Sequence, residues 1–270
     1  MAMALPAPGI RARSSLRAVA EAAVCEAAVG DKHPPYAIIP RASPNHGPRR
    51  DGLTPRLIVL HYTAMATADS ACARLCDPVA EVSAHYLITE SGAIWALVSE
   101  DRRAWHAGAG SWGGAEDINS RSIGIELANR GDHPFAAAQM AALERLLPDI
   151  MARWDIPSAG VIAHSDMAPG RKSDPGARFD WRRLARGGLS VWPQAPAPLA
   201  VDPARFATDA RRFGYPDCPP DLLLATLRLR FRPQATGPLD GTDCALIADL
   251  AARWPAPPAI PPVDPAAPQA

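Results

Sequence analysis

The clearest signal along the chain is a change of hydrophobic period. RLIVLHY (56–62) is a short, β-branched apolar run bounded by Pro55 and Thr63, and it reads as a buried strand. SAHYLITESGAIWALV (83–98) holds two apolar runs around Glu90-Ser91-Gly92, the pattern of a hairpin. RSIGIELAN (121–129) gives a further strand, and AGVIAHSD (159–166) returns to strand after PFAAAQMAALERLLPDIMARW (134–154). That intervening segment has helical spacing, with Pro148 expected to kink or break it. Strands and helices mixed with one hairpin predict an α/β fold: a mixed central β-sheet flanked by helices.

Downstream the period stays helical. PQAPAPLAVDP reads as a semi-rigid Pro/Ala linker. Asp202 then stands as an N-cap with Pro203 at the first helical position. DPARFATDARRFGY, PDLLLATLRLRF and GTDCALIADLAARW form a small three-helix C-terminal module, near the lower size limit for independent folding. The expected division is therefore a tail at 1–35, an α/β unit at 36–193, a linker at 194–202, the helical module at 203–254 and a disordered Pro-rich tail at 255–270. One amphipathic helix is allowed in the first tail.

Composition narrows the function classes. Lys+Arg and Asp+Glu balance at 28 each, so no global positive field attracts nucleic acid or an anionic membrane. Five cysteines lack the spacing of a disulfide framework, and Cys72 and Cys76, four apart on a helix, read as inert buried thiols. No segment is long and apolar enough to span a bilayer. Arg17, Glu21 and Glu26 interrupt the apolar runs of the N-terminus, making a poor secretory signal. The expectation is a cytoplasmic monomer, with export to the periplasm or cell envelope as the alternative.

One segment concentrates ionisable groups where regular structure is hardest to build: AHSDMAPGRKSDPG (163–176). His61 ends the first core strand, His164 ends the last, and Asp174 follows ten residues later. Strand ends on one sheet edge can aim two imidazoles at a common point. Gly170 and Gly176, with Pro169 and Pro175, would let the loop return and bring in the Asp174 carboxylate. Three such ligands with one open position make a catalytic zinc site. Taken singly, a histidine at a strand end is more often a hydrogen-bonded rim residue, and Asp174 before Pro175 is simply a turn former. Spacing alone leaves zinc the minority reading.

The motifs LIVLHYT, VSAHYLI, RRAWHAG, SIGIELAN and AHSDMAPGRKSDPG…FDW, in this order and spacing, resemble the zinc-dependent N-acetylmuramoyl-L-alanine amidases. That family shares a fold with the peptidoglycan recognition proteins and the phage lysozyme-type amidases. The resemblance covers about residues 36 to 193 and is nearest to the anhydromuramyl-peptide amidases. Some of these carry a C-terminal module, and the helical module here resembles a peptidoglycan-binding domain.

The resemblance implies that His61, His164 and Asp174 ligate one zinc ion. It implies hydrolysis of the amide joining the lactyl group of N-acetylmuramic (or 1,6-anhydro-N-acetylmuramic) acid to L-alanine, in peptidoglycan or a muropeptide. Glu126 matches the general base; on a strand, Ile125 and Leu127 would face away and Glu126 alone would face the site. An edge-strand glutamate facing solvent is the competing view. Lys172 would stabilise the oxyanion, the competing view being a surface lysine paired with Asp166 or Asp174. Ala84 stands where the phage-type enzymes carry a tyrosine, which favours a Glu126 and Lys172 arrangement. Tyr62 occupies a position where some relatives have a polar amide. Trp105 and His106 would border the substrate groove, Asn119 and Arg171 would grip the peptide, and His85 would brace a ligand or lie beneath the site. A non-catalytic muropeptide recognition protein is the alternative, although such relatives typically lose a metal ligand.

Overall fold

The structure is a computed structural model that describes residues 36–194 and 197–257. The expected tail at 1–35 and the chain beyond 257 lie outside the described residues. The described residues hold eight strands: β1 (Ile38–Pro40), β2 (His46–Pro48), β3 (Leu57–Tyr62), β4 (Tyr86–Ile88), β5 (Ile94–Ala96), β6 (Arg102–Ala104), β7 (Ser122–Leu127) and β8 (Val161–Ala163). Between them run α1 (Ala68–Cys76), α2 (Ile118–Arg121) and α3 (Ala137–Trp154); α4 (His164–Met167), α5 (Trp181–Arg186), α6 (Pro203–Phe213), α7 (Pro220–Phe231) and α8 (Gly241–Arg253) come after β8. No described helix is long and apolar enough to cross a membrane.

Six strands form one mixed sheet in the order β1-β5-β4-β7-β3-β8. Within it only β4 and β5, the expected hairpin, pair antiparallel, while β2 and β6 form a separate antiparallel pair. The inner strand β3 has fully buried Ile58, Val59 and Leu60, the continuous apolar run of a parallel strand covered on both faces. Its alternation assigns the faces. Ile58 and Leu60 join α3 in one core with Ile123, Ile125 and Leu127. Val59 and Ile162 face the other way, into a core built with Phe206, Phe213, Leu227, Phe231 and Ile247 of the C-terminal helices.

Two expectations change here. Pro148 does not break α3, which runs without interruption from Ala137 to Trp154. Pro148 is on the exposed face, and buried Leu143, Leu146, Leu147 and Ile150 hold the helix to the sheet on both sides of it. The three C-terminal helices form as expected, with Asp202 accepting from the Arg205 N–H as N-cap. They have no separate core, however, because one apolar cluster joins them to the back of the sheet.

Candidate metal centre and catalytic cleft

The sheet register sets the site. His61 on β3 is directly opposite Glu126 on β7, and Leu60 is opposite Ala163 on β8, so His164 comes next in the same row. Three neighbouring strand ends thus present Glu126, His61 and His164 side by side at the carboxyl edge of the sheet, where open α/β sheets place their ligands. His164 is the first residue of the one-turn helix α4 rather than the last of a strand.

The loop after α4 closes the cluster. Its turn is held by the Arg171 and Lys172 N–H groups donating to the Ala168 carbonyl, 3.1 Å each. Gly170 and Gly176 adopt φ of +73° and +82°, as their positions in the sequence suggested. The Ser165 N–H donates to the Asp174 carbonyl at 3.0 Å, which ties the returning loop to the turn carrying His164. The Asp174 Oδ2 is then 2.9 Å from both His61 Nδ1 and His164 Nδ1, and those two nitrogens are 2.9 Å apart. All three side chains are buried, and among the described residues theirs is the one metal-competent cluster.

Whether the cluster suits a cation depends on where its protons are. The His164 Nε2 lies 2.9 Å from the Ala107 carbonyl, which can only accept, so Nε2 carries the hydrogen and Nδ1 the lone pair. The Ser122 hydroxyl donates to the Ile118 carbonyl at 2.5 Å. Its oxygen therefore accepts from His106 Nε2 at 3.1 Å, and His106 Nδ1 accepts from His61 Nε2 at 3.0 Å. This assignment bares His61 Nδ1 as well. Two lone pairs and a carboxylate converge with no hydrogen between them, and a divalent cation fits that donor set.

The electrostatics agree. Burial, then the neighbouring His164, lowers the His61 pKa to about 4 against the opposing pull of Asp174, so the ring is neutral at pH 7. Glu126 moves the other way. Burial first and the Asp174 charge second raise it to about 8, with Lys172 opposing. Its Oε2 is sealed from solvent and has no hydrogen-bond partner. The strand β7 is interior, between β4 and β3, which overturns the edge-strand view of Glu126.

A cleft of about 380 Å³ opens over these groups, lined by His61, Glu126, His164 and Asp174 together with Tyr62, Trp105, His106, Arg171 and Lys172. Lys172 is exposed. Asp174 faces the two histidines and Asp166 pairs with Arg230, so neither takes Lys172 as a partner. The Tyr62 hydroxyl is 3.1 Å from Ser173 Oγ. His106 touches the cleft but chiefly backs His61. Arg171 lines the cleft while its guanidinium donates to the Ala107 and Ala109 carbonyls, pinning that loop.

Asn119 is not brought to the cleft. Its Oδ1 accepts from the N–H groups of His106 and Ala107 at 3.0 and 2.8 Å, beneath the loop. His85 lies one ring further back, edge-on to His106 at 5.8 Å, with Nδ1 accepting from the Gly124 N–H. The sequence reading missed Ser122, the end of the hydrogen-bond chain behind His61. It also missed Ser83, whose hydroxyl accepts from the Trp105 N–H at 2.8 Å, and Arg74, which lines the α1 wall of the cleft. Gly124 was the available signal for the stacked rings, since a Cβ there would strike the His106 imidazole.

Comparison with known proteins places the chain beside amidases. The profile of the Amidase_2 family, N-acetylmuramoyl-L-alanine amidase, matches residues 51–177. The chain is 39% identical over 211 residues to the N-acetylmuramoyl-L-alanine amidase AmiD of Escherichia coli, covering 66% of this chain and 75% of that one. It is 34% identical over 159 residues to the 1,6-anhydro-N-acetylmuramyl-L-alanine amidase AmpD of Enterobacter cloacae, covering 53% and 85%. Among solved structures, the AmiD complex with anhydro-N-acetylmuramic acid-L-Ala-D-gamma-Glu-L-Lys superposes with a TM-score of 0.68 at 37% identity, over 75% of this chain and 91% of that one. AmpDh3 of Pseudomonas aeruginosa does so with a TM-score of 0.67 at 32% identity, over 75% and 93%.

Proposed function

The chain belongs to the N-acetylmuramoyl-L-alanine amidase family, and from that premise we propose how its own residues carry out the hydrolysis. The bond cleaved is the amide between the lactyl group of the muramic acid and the L-alanine of the stem peptide. The single observation that carries the reading is the convergence of His61, His164 and Asp174, with Glu126 in the same row of the sheet. A recognition protein without catalysis has no need of a Glu126 carboxyl in the cleft, and this chain keeps all three candidate ligands.

His61, His164 and Asp174 would hold zinc. A zinc ion there supplies Lewis acidity, polarising the amide carbonyl and making water a nucleophile near neutral pH. Glu126 takes a proton from the attacking water and later delivers it to the departing alanine nitrogen. Its raised pKa suits both halves of that task, since a base that titrates near 8 also gives its proton back readily. The Lys172 ammonium stabilises the negative charge that develops on the carbonyl oxygen. Tyr62, Trp105 and Arg171 form the walls that orient the sugar and peptide, and His106 and Asn119 act from behind. The anhydromuramyl end is the preferred sugar, a reading supported by the similarity to AmiD and AmpD.

The test is mass spectrometry of products from anhydromuropeptide and from intact sacculus. Release of a free stem peptide with N-terminal alanine, faster from the anhydro substrate, is the expected result. Binding without release would return the recognition reading.

A further inference from the structure

Behind the metal centre, a fully buried carboxylate receives one partner from helix α7 and one from the loop between α6 and α7. Asp166 lies two residues past His164. Its Oδ2 accepts from the Ala163 N–H at 2.9 Å, closing the turn that starts with His164. The same Oδ2 pairs with the Arg230 guanidinium from α7, and Oδ1 accepts from the Tyr215 hydroxyl at 3.1 Å. Arg230 also donates to Ser190 Oγ at 3.0 Å and to the Val161 carbonyl at 3.3 Å, while stacking over the Trp181 ring at 4.0 Å. One α7 side chain therefore holds β8, the turn after it and the segment at Ser190.

We infer that Arg230 and Tyr215 are positioning residues for His164, so that the C-terminal helices are a working part of the metal site rather than an appended module. The inference rests on the reading that His61, His164 and Asp174 hold zinc. Three observations carry it. The Arg230–Asp166 pair is buried at both ends, so it tolerates little rearrangement. The His164 turn is hydrogen-bonded through Ser165 to Asp174, so displacing it moves two ligands together. Finally, α7 meets the ligand loop again at Gly170, where a Cβ would come within 2.8 Å of Leu222. Partners behind metal ligands set their orientation, and losing one weakens metal binding by about ten- to a hundredfold.

A purely structural role is separable, because the same helices contain a matched control. Arg228 and Asp243 form a buried pair at 2.5 Å between α7 and α8, and none of their hydrogen bonds reaches α4. Zinc affinity is to be measured by competition with a chromophoric chelator for the full chain and for Arg230→Met, Tyr215→Phe and Arg228→Met. The expected result is a loss of about tenfold or more in Arg230→Met and a smaller loss in Tyr215→Phe. Arg228→Met should keep the parent affinity even if it melts earlier. The visible spectrum of the cobalt-loaded protein should change in the first two variants and not in the third. Unchanged zinc affinity in Tyr215→Phe and Arg230→Met would overturn the inference, as would an equal loss in Arg228→Met. Should Arg230→Met fail to fold, the contrast between Tyr215→Phe and Arg228→Met decides. A parent chain that binds no zinc would instead overturn the ligand assignment beneath it.

Discussion

His61 and His164 are 103 residues apart in the chain, yet their Nδ1 atoms are 2.9 Å from each other and from one Asp174 oxygen. With both lone pairs directed inward, the cluster is self-repelling until a cation is present. Zinc should therefore stabilise the fold strongly, by about 4 kcal/mol at a thousandfold excess over its dissociation constant. Calorimetry of chelated and reloaded protein should show the melting temperature fall and recover along with turnover.

Glu126→Gln should cut kcat by about a hundred- to ten-thousandfold while zinc stays bound. Its effect on stability carries a sign. In the metal-free fold the Glu126 carboxyl titrates near 8, against 4.5 without burial. The fold thus binds an extra proton between those values, and its stability is whole below pH 4.5 and drains as pH rises through 8. At about 1.4 kcal/mol per pKa unit the drain is a few kcal/mol, reduced where water reaches the carboxyl. Glutamine has nothing to ionise. Urea unfolding of the metal-free variant should show it gaining on the parent from pH 5 to pH 9.

Lys172→Met should lower kcat by about a hundredfold with KM nearly unchanged, because the ammonium acts on charge that develops during the reaction. Lys172→Arg should recover part of the loss by keeping the charge. Steady-state kinetics on a soluble muropeptide separates this from a binding role, in which KM would rise instead.

The histidines behind and within the site set the acid limit. Burial lowers His61 and His85 to about 4 and His106 well below its usual value. An unfolded chain takes up these protons near pH 6.5 and the fold does not. The stabilisation is present above pH 6.5 and lost as pH falls towards 4. Metal-free protein should accordingly lose melting temperature steeply across that window, and replacing His85 with Gln should flatten the loss.

Much of this was legible before any coordinates. The apolar run at 57–62 fixes β3, Glu90-Ser91-Gly92 fixes the hairpin, and the glycines flanking Asp174 announce the returning loop. The sheet order was not legible, because nothing local in SIGIEL says that β7 pairs with β3 rather than lying at an edge. The roles of His106 and Asn119 escaped for a related reason: which side of a loop faces the cleft is decided by partners such as Ser122, which bonds His106 from sixteen residues further along the chain. Pro148 misled because its cost to a helix is local, whereas the packing that overrides it comes from the sheet. The continuity of the C-terminal helices with the core was hidden by the Pro/Ala segment. Its composition describes a linker and carries no information about where the helices beyond it pack.

The most direct measurement is zinc per chain by mass spectrometry under native conditions, for the parent, Glu126→Gln and Asp174→Asn, beside their turnover of anhydromuropeptide. The expected pattern is one zinc and full turnover in the parent, one zinc without turnover in Glu126→Gln, and neither in Asp174→Asn. Undiminished turnover by zinc-free Asp174→Asn would contradict the account.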